Sequence, residues 1–188
     1  MTSLRPQLES LRFAASKVRT AAERLATLSY EQLTWKPSPD RWNSLQILDH
    51  LNRTHALCAP KFAVALDDAS PAGEEGSSTI KFGFVDRVFL KFMSGEAPIK
   101  APVPPIFEPE ASPDRKQTLR RFFEFHDAVA DVIERSNAFR LEGLRVTSPV
   151  SEKFRPGYLA YLTGLVLHEK YHWEQIEALV AAPGYPKQ

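Results

Sequence analysis

Cysteine occurs once in this sequence, at Cys58. One thiol can neither close an intrachain disulfide nor build a cysteine-rich metal knuckle. That usage is compatible with a reducing compartment, and a cytoplasmic location is expected. No apolar run approaches the roughly eighteen residues of a spanning helix. The opening stretch MTSLRPQLESLRF has no apolar core, so no signal peptide is expected there. Neither charge sign dominates: the formal net charge is +1, with Lys and Arg scattered among Asp and Glu. That pattern offers no basic stripe for nucleic acid and no acidic tail. Neither a nucleic acid nor a membrane is an expected partner. Strand signals are weak, LRVTSPV being the one short β-rich stretch, and no internal repeat is evident.

What is present is an ordinary globular balance, 43% hydrophobic and 25% charged in 188 residues. That length suits one domain, 1–188, with a substantial core. Glycine is sparse at 8 residues, whereas proline, at 15, is concentrated. Pro98, Pro102, Pro104, Pro105, Pro109 and Pro113 crowd one stretch, which cannot be helix interior or central strand. It reads as an extended surface crossover, partly polyproline II in character.

Four segments carry apolar residues at three- and four-residue intervals. The first runs Leu4, Leu8, Leu11, Ala15, Val18, Ala22, Leu25, with Ser3 as a cap before Pro6. The second follows RWNS, with Asn43 and Gln46 spaced for a reciprocal cap, and runs from Ile47 and Leu48 through Leu51, Thr54/His55 and Cys58 to Phe62. The third opens on Ser112-Pro113-Asp114, read as cap, first-turn proline and acid at the positive end of the helix. Its stripe is Leu119, Phe122/Phe123, His126, Val129, Ile133. The fourth follows Pro156 with Leu162, Leu165, His168/Glu169, His172, Ile176 and Leu179. The fold class is therefore all-α, a four-helix bundle with one long crossover between its second and third helices. Within that crossover Phe82, Val85, Phe89 and Phe92 share a helical spacing. A short helix capping one end of the bundle is expected, with a lid or dimer surface as the alternative. SPAGEEGSS reads as a loop.

His168-Glu169-Lys170-Tyr171-His172 spells H-E-x-x-H, the zinc-protease signature. Histidines at i and i+4 share a helix face and can reach one ion. A protease needs a third ligand beyond that helix, but Glu174 and Glu177 lie on its own continuation and cannot bend back. Gln175 and Ala178 occupy the glycine and histidine positions of the longer signature. The third ligand must come from upstream. His50, in line with Ile47 and Thr54, can point inward, whereas His55 faces away from it. His50, His168 and His172 make a three-histidine set with an open position, the arrangement of catalytic rather than structural sites; zinc, nickel and iron all accept imidazole.

WKPSPDRWNSLQILDHLNRTH followed by LTGLVLHEKYHWEQIEAL resembles the DinB-like (YfiT-like) superfamily of metal-binding four-helix bundles. The resemblance rests on Trp35 and Trp42, on Ile47-Leu48-Asp49-His50-Leu51, and on His168, His172, Gln175 and Ile176, and it spans nearly the whole chain. It implies a divalent metal on His50, His168 and His172. It also implies chemistry like that of relatives that are transferases and isomerases using low-molecular-weight thiols such as bacillithiol or mycothiol. A thiol cosubstrate acting on a small electrophile is then expected, with a hydrolase on the same ligands, or a non-catalytic metal- or small-molecule-binding protein, as alternatives. A homodimer is the oligomer such bundles commonly form. His126 reads as a buried, hydrogen-bonded histidine, with a fourth ligand or substrate-facing base as the alternative. Glu169, rotated about 100° from His168, is expected to orient a neighbouring group. Asp49 and Glu174 are candidates for holding a ligand ring N–H. Cys58 and the three tryptophans read as packing residues.

Overall fold

The computed structural model describes residues 5–73, 79–98 and 102–187. Among them the chain is helical: α1 (Pro6–Leu25), α2 (Tyr30–Thr34), α3 (Ser44–Asp67), α4 (Phe84–Met93), α5 (Arg115–Ser136) and α6 (Tyr158–Val180). A single 3-10 turn spans Pro105–Phe107. No strand forms among the described residues; the β-rich stretch contributes only the isolated bridges Arg145–Gly157 and Ser148–Ser151. Among the described residues no helix is long and apolar enough to cross a membrane.

The four long helices are the four periodic segments. Asn43 caps α3 as its spacing predicts: its side chain accepts from the Gln46 amide at 2.9 Å, and Gln46 returns a bond to the Asn43 amide. Two termini differ from expectation. α5 is capped not by Ser112 but by Asp114, whose carboxylate accepts from the Gln117 amide at 2.7 Å. Pro113 thus lies before the helix, and the acid takes the cap itself. At α1 the N-cap is Arg5 without a side-chain cap bond; Ser3 lies outside the described residues. The short α2 was unread, although Ser29 and Gln32 carry the same reciprocal cap as Asn43 and Gln46. The proline-rich crossover is described only in part, because 99–101 lie outside the described residues, as do 74–78 within the loop SPAGEEGSS.

α3 packs against α5 and α6, and α1 against the same two helices. The short α4 does not cap an end of the bundle. It lies along α6 and runs in the same direction. Asp86 accepts the Gly157 amide at 3.0 Å, Phe89 meets Gly164, and the Met93 carbonyl reaches His168. Glycine at 164 makes this approach possible, since a Cβ there would stand 2.6 Å from the Phe89 ring.

The core comes as two apolar clusters. One contains Cys58 and Phe62 of α3, Val129 and Ile133 of α5, and Leu162 and Leu165 of α6. The other contains Leu48 and Leu51 of α3, Phe122 of α5, and Ile176 of α6. Along each helix a polar stretch separates them: Asn52, Thr54 and His55 on α3, His126 on α5, and His168 to His172 on α6. Burying polar groups between two apolar clusters is costly unless they are hydrogen-bonded or hold a ligand. The histidines occupy that layer.

Candidate metal centre

His168 and His172 sit one turn apart on α6, and His50 faces them from the first turns of α3. The ligand atoms of the three residues all lie within 4.8 Å of one another. His50 Nε2 is 3.0 Å from His168 Nε2, and the His172 ring centroid is 4.6 Å and 4.4 Å from those of His50 and His168.

Each ring is held from behind through Nδ1. His50 Nδ1 donates to the Phe107 carbonyl at 2.8 Å, His168 Nδ1 to the Met93 carbonyl at 3.3 Å, and His172 Nδ1 to Gln175 Oε1 at 2.9 Å. A carbonyl oxygen only accepts, so each Nδ1 carries the hydrogen and each Nε2 presents a lone pair. Burial pushes the pKa of His50 down, and that of His168 well down. Burial, reinforced by the proximity of His50, brings His172 to about 3. Neutral rings are what a metal requires.

The donor set fits a divalent ion. Two facing Nε2 lone pairs repel unless a cation lies between them. Imidazole ligands at about 2.1 Å in tetrahedral array stand about 3.4 Å apart, close to the 3.0 Å seen. Three protein nitrogens would leave a place for a further ligand on a tetrahedral ion, and all three histidines line a cavity of about 530 Å³. Trp42 closes one side, its ring 5.1 Å from His50 and stacked 6.4 Å from His172.

The other expected residues are placed as follows. Asp49 touches no ligand ring. It pairs with Arg53 at 2.9 Å and accepts the Glu110 amide at 2.9 Å, while Gln46 holds the Glu110 and Ala111 carbonyls. This face of α3 therefore clamps the segment whose Phe107 carbonyl orients His50. Glu174 pairs with Lys170 on the outer surface. Glu169 is turned into the bundle, where its Oε1 accepts from His126 Nδ1 at 2.9 Å with both side chains 2% exposed. His126 is not on the cavity wall. His55 is also buried beside them, its pKa lowered by burial, and its Nδ1 has no hydrogen-bond partner among the described residues. Trp173 packs in the core, Trp35 packs against Tyr185 and the second core cluster, and Trp42 both packs against that cluster and lines the cavity. Cys58 packs beside Tyr161, and burial raises its thiol to about 11.

Sequence reasoning missed the Phe107 and Met93 carbonyls, because any residue supplies a carbonyl and nothing in side-chain type marks it. Gln175 carried a signal, three residues beyond His172 on the same helix face.

The family model of the DinB superfamily matches residues 14–176. No curated protein matches the chain, and no solved structure does. An all-helical fold, a histidine cluster able to hold a metal and a family match over most of the sequence agree: this chain belongs to the DinB superfamily.

Proposed function

We propose that this chain is a metal-dependent enzyme, a transferase that joins a low-molecular-weight thiol to a small electrophile. The observation that supports it best is the pairing of three Nδ1-anchored histidines with an open cavity that all three line. His50, His168 and His172 would hold a divalent ion of the zinc, nickel or iron type. When bound, such an ion supplies Lewis-acid activation of a thiol at neutral pH.

The protein's own groups position and exclude. Phe107, Met93 and Gln175 keep the three rings from turning. Trp42 covers the His50 and His172 rings and keeps water from that flank. No protein nucleophile is needed, and Cys58 with a pKa near 11 is not one. In the net step the thiol sulfur forms a bond to the electrophilic carbon and the leaving group departs with its electron pair. The thiol proton leaves with that group, giving R–S–E and HX from R–SH and E–X. A closed, apolar, fully ligated site would favour a non-catalytic binder; this cavity is open, which supports an enzyme, while its largely apolar wall is what a binder would also have.

Metal analysis of the purified protein and of His168→Ala, coupled to a screen of thiols against electrophiles, tests this. Expected are one divalent ion per chain, its loss in the variant, and turnover that needs both metal and thiol. Absence of stoichiometric metal after reconstitution ends the proposal. Thiol-independent hydrolysis of an ester or amide makes the chain a hydrolase instead, and metal without any turnover makes it a binder.

A further inference from the structure

The cavity volume, about 530 Å³, is that of sites enclosing a drug-sized molecule. Among the described residues its only charged lining is Asp40 and Arg41, both exposed. Away from them the wall is aromatic: Phe89 lies 5.2 Å from Tyr161 and 5.6 Å from Phe154 between ring centroids. The polar side chains there are uncharged and engaged with the protein: Cys58 Sγ lies 3.4 Å from the Tyr161 hydroxyl, which Ser148 also meets, and Thr54 donates to the His50 carbonyl. Burial raises the pKa of both Cys58 and Tyr161, so neither supplies a charge. An ionic group carried into this end would lose its hydration and find no counter-charge among the described residues.

The apolar surface continues outside. Phe89, Phe92, Met93 and Phe154 line the cavity and also a second groove of about 380 Å³. Phe84, Val85 and Val88 complete that groove, and Phe84 is 74% and Val85 55% exposed. A ten-residue helix thus turns one apolar edge toward the histidines and leaves another in water. The two surfaces share side chains, so one elongated ligand can cover both.

Resting on the metal-site reading above, we propose that the electrophilic substrate is an uncharged small molecule with an elongated apolar body. Its reactive head lies at the histidines and its tail runs past Phe92 and Phe154 along the outer edge of α4. The apolar edge of α4 is therefore a tail-binding groove.

Two binding measurements test this. Cobalt(II)-loaded protein is titrated with n-alkanethiols from ethanethiol to octanethiol, whose sulfur anchors one end at the metal while the alkyl chain stands in for the substrate's tail, and with 2-mercaptoethanesulfonate, following the visible cobalt spectrum. Metal-free protein is titrated with the neutral fluorophore N-phenyl-1-naphthylamine. The expected result is affinity rising about fourfold per added methylene, with the sulfonate thiol weaker than the longer alkanethiols. Phe92→Gln and Val88→Gln should cause a loss that grows with chain length, and Phe92→Gln should also weaken the fluorophore. Equal affinity along the series, or preference for the sulfonate, overturns the proposal while the metal reading stands. If cobalt does not bind, the metal reading fails, and fluorophore binding that ignores Phe92→Gln overturns the groove as well. A dimer that Val88→Gln converts to monomer, with chain-length dependence unaltered, assigns the face to a second copy and overturns the proposal.

Discussion

Gln175 shows how much of the site lies in residues that hold the ligand rings in place. It follows His172 by three positions, and its side-chain oxygen fixes that ring's tautomer at 2.9 Å. Replacing it with leucine keeps bulk and helix propensity but frees the Nδ1 hydrogen and the ring. Loss of such an outer partner lowers metal affinity by roughly 10- to 100-fold. Competition against a chromophoric chelator should show a drop of that size for Gln175→Leu, with the helical circular dichroism unchanged. Unaltered affinity would mean that the neighbouring Trp42 and His50 rings hold His172 without it. Glu169 carries the opposite lesson. In the sequence it completes a protease signature, yet it faces His126 in the core, because adjacent residues on a helix point about 100° apart.

At the scale of elements, the site depends on how closely α4 and the 107–111 segment are held. α4 supplies the Met93 carbonyl to His168, and it reaches that position by passing over Gly164. In Gly164→Val the new side chain must displace Phe89, since even a Cβ would come within 2.6 Å of that ring. Overpacking of this kind costs about 1–3 kcal/mol, and the shift withdraws the Met93 carbonyl from His168. Denaturant titration and zinc competition on this variant should show both a stability loss and weaker metal binding. A stability loss with full metal affinity would show that His168 keeps its orientation without Met93. The sequence revealed α4 by its apolar spacing but not its position, because periodicity defines a helix face and not the helix that the face meets. The single glycine of α6, Gly164 in its mostly apolar first half, was the available hint.

For the whole molecule, the histidine layer links folding to pH and to metal. His172 is held near 3 in the fold, mainly by burial, against 6.5 for an ordinary ring, and burial lowers His50 and His168 as well. As pH falls below 6.5 the unfolded chain takes up protons that the folded chain refuses. Stability of the metal-free protein therefore rises with pH between about 3 and 6.5 and is lost as pH falls through that window. Thermal melts of metal-free protein should give a lower Tm at pH 5 than at pH 7.5. Saturating zinc at pH 7.5 should raise Tm, since an ion at a thousand times its Kd adds about 4 kcal/mol. A Tm indifferent to pH would mean that the rings take up protons without unfolding the bundle.

The sequence by itself determined the helix class, the four long helices, the Asn43–Gln46 cap and the three histidines that could share an ion. All but His50 follow from local rules: apolar spacing, the reciprocal geometry of a cap, and the shared face of residues four apart; His50, on another helix, was joined to them by its inward place on the second stripe and by the family resemblance. Tertiary structure alone decided that Asp114 rather than Ser112 caps α5 and that Asp49 clamps the crossover instead of a ligand ring. It also decided that Trp42 stands over the site, and that two backbone carbonyls aim His50 and His168. Those outcomes depend on which surfaces meet across the bundle, and a carbonyl has no residue type by which a sequence could announce it.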